Sequence, residues 1–374
     1  MLKRSVTQTK TWTWGSATSV EQDILKDGYI THIDFSLEIT PSATLAGAVQ
    51  PDGPFRLINN FSIRGGSQMY FQLPAEQGGR LWHYMNRLMY RWLGHGGGVI
   101  AGGGPNLTMQ PVLFSFHPGS RPIDPYTGLP NYFDLSAFIP GIEESSLTGK
   151  WETTANDVMD DTVTLTSAVL KATVYMVQGD PEEIIQEMLA QGVPMDPDTR
   201  LVALMTPSPD ASVKATTATK SDYNEEFDIV TGGYLRGIGI LAQDATATRP
   251  LRAADIVTEI AIKMPGIGTR LIEMDCEPLW CSQPPGSYLI ANDGAVGGMI
   301  SVAEGVFYLP LANRGIGPIS KIYGLDMSQA RTGDWKLGLT IYTYASGDDV
   351  LIFYDRLIPY TGMALRDAAR RLLR

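Results

Sequence analysis

The chain has 374 residues, 44% apolar and 18% charged, with a formal net charge of −11 at pH 7. That length suffices for two cores of ordinary size, and so few charges describe a globular chain whose surface is lean in ionised groups, as where neighbouring subunits cover it. The 39 glycines and 24 prolines favour an all-β architecture rich in turns, and only two cysteines, Cys276 and Cys281, exclude a disulfide framework and point to a reducing compartment.

From the N-terminus, Met1 to Thr7 runs into polar residues instead of an apolar signal core, and no stretch approaches about 18 apolar residues, so the expectation is a soluble chain made in the cytoplasm. Residues 1–24 read as an arm. Gly28-Tyr29-Ile30 then opens an alternating run, with Ile33, Phe35, Leu37 and Ile39 on one side and His32, Asp34, Ser36, Glu38 and Thr40 on the other. A second half-buried strand follows, with Phe55, Leu57, Phe61 and Ile63 alternating with Arg56, Asn60, Ser62 and Arg64. Gly65-Gly66 breaks it before Met69 to Leu73.

An amphipathic helix is expected near 81–93, carrying Leu81, Trp82, Met85, Leu88, Met89 and Trp92 on one stripe. Val112 to Phe116 and Val163 to Val177 read as further strands. Asp180-Pro181-Glu182-Glu183 starts a helix near 181–191 that Gly192 stops. It closes a first unit, 25–192, and residues 193–223, rich in Pro, Ser, Thr and Asp, read as a linker.

About 205 residues after the first, a second Gly-Tyr-aliphatic opening, Gly233-Tyr234-Leu235, leads into Ile238 and Ile240. Ile256, Thr258, Ile260 and Ile262 follow, Pro265-Gly266 breaks the run, and Thr269 to Met274 resumes it. Val306 to Leu309 matches Val112 to Phe116. Trp335–Tyr344 and Val350–Ile358, joined by Ser346-Gly347-Asp348-Asp349, read as a closing hairpin of a second unit, 224–360. Residues 361–374 form a basic helix.

The charge is unevenly placed. Lys3, Arg4 and Lys10 at one end, with Arg366, Arg370, Arg371 and Arg374 against Asp367 at the other, sum to +6 and leave −17 on the body. An acidic body argues against sequence-specific nucleic-acid binding, while basic ends suit an anionic surface.

Catalytic vocabulary is sparse. His32, His83, His95 and His117 have no metal-ligand spacing and read as surface or loop residues, and Cys276 and Cys281 have no second ligand pair. The glycine-rich stretch Gly94 to Pro105 lacks the Lys-Ser/Thr pair of a phosphate loop, and the chain has no G-x-S-x-G elbow. It reads as a surface loop. Gly237-Ile238-Gly239 falls within a strand, where a dinucleotide fingerprint cannot work. The acid pairs Glu143-Glu144, Asp160-Asp161 and Asp348-Asp349 read as turn acids, since neighbours on a strand point to opposite faces. No catalytic, cofactor or metal residue is assigned.

Two strand-rich halves with matched openings Gly28-Tyr29-Ile30 and Gly233-Tyr234-Leu235, the same strand order after each, a helix inserted in the first half and one after its last strand resemble the double jelly-roll major capsid proteins of tailless icosahedral bacteriophages and viruses. The resemblance covers roughly residues 25–360 and rests on architecture, with no diagnostic motif. It implies two upright jelly-roll β-sandwiches per chain, trimeric pseudo-hexagonal capsomers, vertex (penton) and minor capsid proteins as partners, and often an internal lipid membrane beneath the shell. Under it the inserted helix and the Gly94–Pro105 loop would lie at subunit contacts or an outer tower. Lys3, Arg4, Lys10, Arg366, Arg370, Arg371 and Arg374 would face inward, against lipid head groups. The rival expectations are a phage adhesion or spike protein that binds without chemistry, and a carbohydrate-active β-sandwich enzyme.

Overall fold

The repeated Gly-Tyr-aliphatic opening starts a central strand in each half, and the physical reason for its glycine is the same both times. A Cβ on Gly28 would lie 2.8 Å from the carbonyl oxygen of Val177, and one on Gly233, whose φ is +78°, would lie 2.0 Å from that of Leu357. In each half the last strand crosses where a side chain would stand, so the entry must be glycine.

The computed structural model describes residues 1–8, 11–41, 53–75, 78–89, 112–122, 124, 127, 129–155, 165–195, 203–215, 223–244, 251–252, 256–276, 305–312, 323–342 and 348–373. In the first unit one sheet has the order β1 (Lys3–Gln8), β9 (Leu165–Gln178), β4 (Tyr29–Pro41) and β7 (Val112–Phe116), with β2 (Trp12–Thr13) also on β9. The other has β3 (Ser19–Asp23), β8 (Leu147–Thr153), β5 (Ile58–Gly65) and β6 (Gln68–Gln72). In the second unit β20 (Asp349–Pro359) and β13 (Tyr234–Asp244) form the centre of a sheet. β10 (Met205–Pro207) and β11 (Asp210–Ala215) pair with β20, and β14 (Leu251–Arg252), β17 (Val306–Pro310) and β18 (Leu325–Asp326) pair with β13. The other sheet has β12 (Tyr223–Asp228), β19 (Lys336–Ile341), β15 (Val257–Met264) and β16 (Thr269–Asp275). The fold is therefore all-β: two consecutive jelly-roll sandwiches whose strands correspond one to one around their centres.

The correspondence extends to irregularities. β4 shifts register against β9 between Ile30 and His32, and β13 shifts against β20 between Leu235 and Gly237. β5 shifts against β8 between Ile58 and Asn60, and against β6 between Ile63 and Arg64. β15 does the same against β19 between Val257 and Glu259, and against β16 between Ile262 and Lys263. Three bulges at matching positions bend both sandwiches alike.

Among the described residues four α-helices accompany the strands: α1 (Gly53–Arg56), α2 (Gly78–Met89), α3 (Pro181–Ala190) and α4 (Met363–Leu372). α3 begins with proline in its first turn and ends before Gly192, whose φ is +68°, as the sequence implies, although Asp180 makes no side-chain cap.

Several expectations change. Residues 1–24, read as an arm, are built into the first sandwich: β1 pairs along β9 and β3 along β8, and the fully buried Trp12 and the almost fully buried Ile24 anchor the segment in the core. Within 193–223, β10 and β11 belong to the second unit's sheet through β20. The closing strands are not a hairpin, since β19 pairs with β12 and β15 while β20 pairs with β13 in the opposite sheet. Both strands are buried almost throughout, which removes the alternation that would have told the two sheets apart.

Each unit has a core between its sheets, built on Trp12, Phe35, Phe61 and Trp151 in the first and on Ile238, Ile260, Leu339 and Ile352 in the second. Each such side chain contributes about 1.5–3 kcal/mol by leaving water. The first core also takes in Leu241, Val306, Leu351 and Phe353 from the second unit, so the sandwiches share apolar interior.

Candidate functional site

The contact between the sandwiches is built around α2. Its buried Leu81, Trp82 and Met85 follow from the apolar stripe read in the sequence, but Arg80, His83 and Asn86 are buried as well. The helix is therefore covered on more than one face. On one side Asn86 accepts from the Ser115 N–H at 3.0 Å and donates to the Ser115 carbonyl, which Trp82 Nε1 also reaches at 3.0 Å. These bonds occupy the open edge of β7 in place of a further strand. On the other side Trp82 meets Phe353 edge-on at 5.3 Å, Arg80 donates to Gln243 at 2.9 Å, and a Cβ on Gly239 would lie 2.0 Å from Met85 Sδ. The expectation that this helix lies at subunit contacts or an outer tower is corrected: it fills the junction within the chain. Gly94 to Pro105, like His95, Lys10, Cys281, Asp160-Asp161 and Arg374, lies outside the described residues.

A second contact comes from the bulge in β13. The extra residue there is Arg236, which is 1% exposed. It donates to Asp355 at 2.6 and 3.1 Å, and reaches into the first unit to the carbonyls of Pro118 and Gly119, the latter at 3.1 Å. Tyr323 OH donates to the Ser136 carbonyl at 2.9 Å and the Phe138 N–H to Met205 at 3.2 Å, closing the same seam. A lone arginine between Leu235 and Gly237 in an apolar run is a sequence signal for such a clamp, because a buried guanidinium needs several acceptors.

Beneath the seam lies a polar chain of which the sequence gives no sign. His32 and His117, expected at the surface, are fully buried, and His83 nearly so. The Nδ1 atoms of His32 and His117 are 3.1 Å apart, His32 Nε2 is 2.7 Å from Asp34, and His117 Nε2 is 3.3 Å from Asp134. With both carboxylates ionised, three hydrogen bonds require three ring protons, one more than two neutral imidazoles carry. Burial works to raise both carboxyl groups. Hydrogen bonds and charge from His32, with Ser115 and Tyr175, outweigh it for Asp34, and those from His117, with the N–H groups of Ser136 and Arg121, outweigh it for Asp134. Both are held below the usual carboxylate range. Ser115 Oγ donates to Asp34 rather than to an imidazole, so the group lacks the serine-to-histidine contact of an activated nucleophile. Through Asp134, which accepts from the N–H groups of Arg121 and Ser136, it braces these two residues beside the seam.

Glu143 and Glu144, read as turn acids, gather tyrosines from both units. Tyr29 donates to Glu143 at 3.0 Å, Tyr360 of the second unit donates to the same carboxylate, and Tyr70 donates to Glu144. Burial first, then the neighbouring carboxylates, push these phenols well above their ordinary range.

The basic ends meet. β1 and α4 both reach α3, where Arg4 pairs with Glu187 at 2.8 Å, the N-terminal amine with Glu183 at 2.8 Å and Arg371 with Glu182 at 2.9 Å, while Arg370 pairs with Asp367 at 3.4 Å within α4. The hydrogen bond to the amine holds the Glu183 carboxyl low and the amine high. The apolar side of α4, Leu365, Ala368 and Ala369, packs on Ile184, Ile185 and Met188 of α3. Lys3 and Arg366 make no ion pair among the described residues. Much of the basic charge is thus met by acids of this same chain. No described helix is long and apolar enough to cross a membrane.

No protein-family model and no curated protein matches the chain. Among solved structures 56 chains match. One, from the atomic structure of Sulfolobus Turreted Icosahedral Virus, is 15% identical, with 100% of this chain and 97% of that one covered at a TM-score of 0.64. The crystal structure of the STIV MCP is 14% identical, with 96% and 97% covered at 0.64. The Faustovirus major capsid protein is 7% identical, with 96% and 91% covered at 0.52. At these identities the likeness is one of fold. It spans nearly the whole of each chain, so the pair of jelly rolls is shared as a unit.

Proposed function

We propose that this chain is a structural virion protein, the major capsid protein of an icosahedral shell, whose trimers form pseudo-hexagonal capsomers. The observation that carries the reading is the pairing of two topologically matched sandwiches, bent by the same bulges and locked by α2 and Arg236. Two such blocks per chain give a trimer six similar walls, which suits hexagonal tiling. The fold shared with viral capsid proteins over nearly full length supports it. The role calls for rigidity and surfaces rather than catalysis, and the polar groups described above are engaged in holding loops and strands together.

On this reading the partners are further copies, neighbouring capsomers, and vertex and minor capsid proteins. The chain is made in the host cytoplasm and resides in the virion, without sequence-specific nucleic-acid contacts. The end bearing both termini faces inward, where Lys3, Arg4, Lys10, Arg366, Arg370, Arg371 and Arg374 approach an anionic surface such as an internal membrane. The ion pairs with α3 leave that attraction weaker than about 1 kcal/mol per basic residue.

Sedimentation of the purified full chain is expected to give a trimer, and electron microscopy of concentrated samples hexagonal or shell-like arrays. A monomer at every concentration would overturn the reading. For the inner-face contact, Lys3→Gln with Arg366→Gln is a cleaner test than truncation after Thr361, which would expose the apolar side of α3. The pair of substitutions is expected to weaken sedimentation with phosphatidylserine vesicles, and equal binding would remove the membrane contact.

A further inference from the structure

We propose that His32 and His117 form a pH-sensitive lock on the joint between the two sandwiches: the buried pair holds one proton beyond those of two neutral rings, and either losing it or gaining another parts the rings.

The proton count follows from which groups can donate. Asp134 accepts the N–H of Arg121 at 2.6 Å, the N–H of Ser136 at 2.9 Å and the Ser136 hydroxyl at 2.8 Å, and Asp34 accepts the hydroxyls of Ser115 and, at 3.1 Å, Tyr175. Kept ionised by these donors, each carboxylate accepts from its histidine as well, so Nε2 of both rings carries a proton. The two Nδ1 atoms then face each other at 3.1 Å, a contact that repels as two bare lone pairs and binds as N–H···N. Turning either ring over would bring carbon to both of its partners at once, so two contacts fix each orientation. A metal does not suit the site in place of the proton. Zinc holds nitrogens at about 2.0–2.1 Å in a tetrahedron of four ligands, and among the described residues no three His, Cys, Asp or Glu side chains gather to hold an ion.

The surroundings balance with one such proton. Around the pair stand Asp34 on β4, Asp134 and Arg121 on the segment after β7, and, across the seam, Arg236 of β13 with Asp355 of β20. Among these described groups three carboxylates against two guanidinium groups leave one negative charge, which the shared proton cancels. A second proton would set two positive rings in contact. The neighbouring phenols, Tyr132, Tyr175 and Tyr323, stay neutral, pushed up by burial and then by the charge of Asp34 or Asp134. Further along the sheet Lys171 is met by Glu38 at 2.6 Å.

Both ends of the pair are joined to the seam. His117 is followed by Pro118 and Gly119, whose carbonyls take Arg236 of the second unit, and Asp134 holds Ser136, whose carbonyl takes Tyr323. Parting the rings therefore displaces acceptors that the second unit uses.

In the unfolded chain both histidines release their protons near about pH 6.5. Above that the folded pair holds one proton more than the unfolded chain, and below it one fewer, so the stability due to the pair is greatest near about pH 6.5. On each side the unfolding constant rises by up to about tenfold per pH unit, until the folded pair exchanges its own proton with solvent.

The test is urea unfolding of the full chain from about pH 5 to about pH 9, unmutated and as His117→Asn, which leaves His32 a neutral partner and no extra proton. The unmutated chain is expected to lose stability as pH rises above about 6.5, and the variant to lack that alkaline decline. The same decline in both would overturn the inference. Should the variant fail to fold, NMR of the unmutated chain with nitrogen-labelled histidine decides. Three protonated ring nitrogens of the pair's four, with coupling across the Nδ1–Nδ1 contact, are expected, and two protonated nitrogens would overturn it. EDTA is expected to leave the unmutated profile unchanged, and stability lost to EDTA would give the site to a metal instead of the proton.

Discussion

Replacing Arg236 by methionine takes two donors from buried Asp355 and one from each of the carbonyls of Pro118 and Gly119 across the seam. Arg236→Met is expected to cost about 3–5 kcal/mol in urea unfolding, the range for breaking a buried pair. Adding Asp355→Leu should recover only part of this, because the two carbonyls still lack their donor; full recovery would mean that the bonds across the seam contribute nothing. A pH effect belongs to the same scale. Asp134 and Asp34 have folded pKa values below their unfolded ones, so their contribution is complete above about pH 4 and is lost as pH falls towards the folded values. The urea midpoint should decline over that acid range, and Asp134→Asn, less stable at neutral pH, should show a shallower decline. An unchanged slope would show that Asp134 does not carry the effect. The histidine chain is not legible in the sequence: spacing along the chain brings His32 near Asp34 but gives no sign of His117, 85 residues away, and an isolated histidine in a strand pattern looks like any solvated one.

α2 shows what periodicity can and cannot say. Its apolar stripe announces a helix and a buried side, yet the same stripe would arise against any apolar surface. The fuller signal is in Arg80, His83 and Asn86, polar residues of the same helix that are also buried. Gly239→Val is expected to cost about 1–3 kcal/mol by pushing into Met85. Combined with Met85→Ala it should cost less than the two single changes together, by at least about 0.5 kcal/mol; strict additivity would mean that Met85 is not the obstacle. The last two strands are legible in their places but not in their partnership. Adjacent strands pair so often that a turn between them suggests a hairpin, and only the sheet topology reveals that β19 and β20 lie in opposite layers.

For the whole molecule, the first core's inclusion of Leu241, Val306, Leu351 and Phe353 ties the stability of one sandwich to the other. Calorimetry is expected to show one unfolding transition, and residues 1–195 expressed alone should aggregate through Phe71, Trp82 and Met85, which lose their cover of Phe353 and Gly239. Two resolved transitions would contradict the shared core. The duplication is legible because its glycines answer a backbone constraint that any sequence with this topology must meet. The boundaries are not, because β1, β10 and β11 are short edge strands whose membership depends on partners far along the chain. The recurring bulges carry a consequence for the proposed trimer. They keep two walls geometrically alike while leaving their side chains free to diverge, so a ring of three chains has nearly sixfold shape but only threefold chemistry. Such a tile can sit in a hexagonal lattice in two orientations that look the same in outline, and a neighbour sensing side chains would accept one of them, giving the lattice a direction.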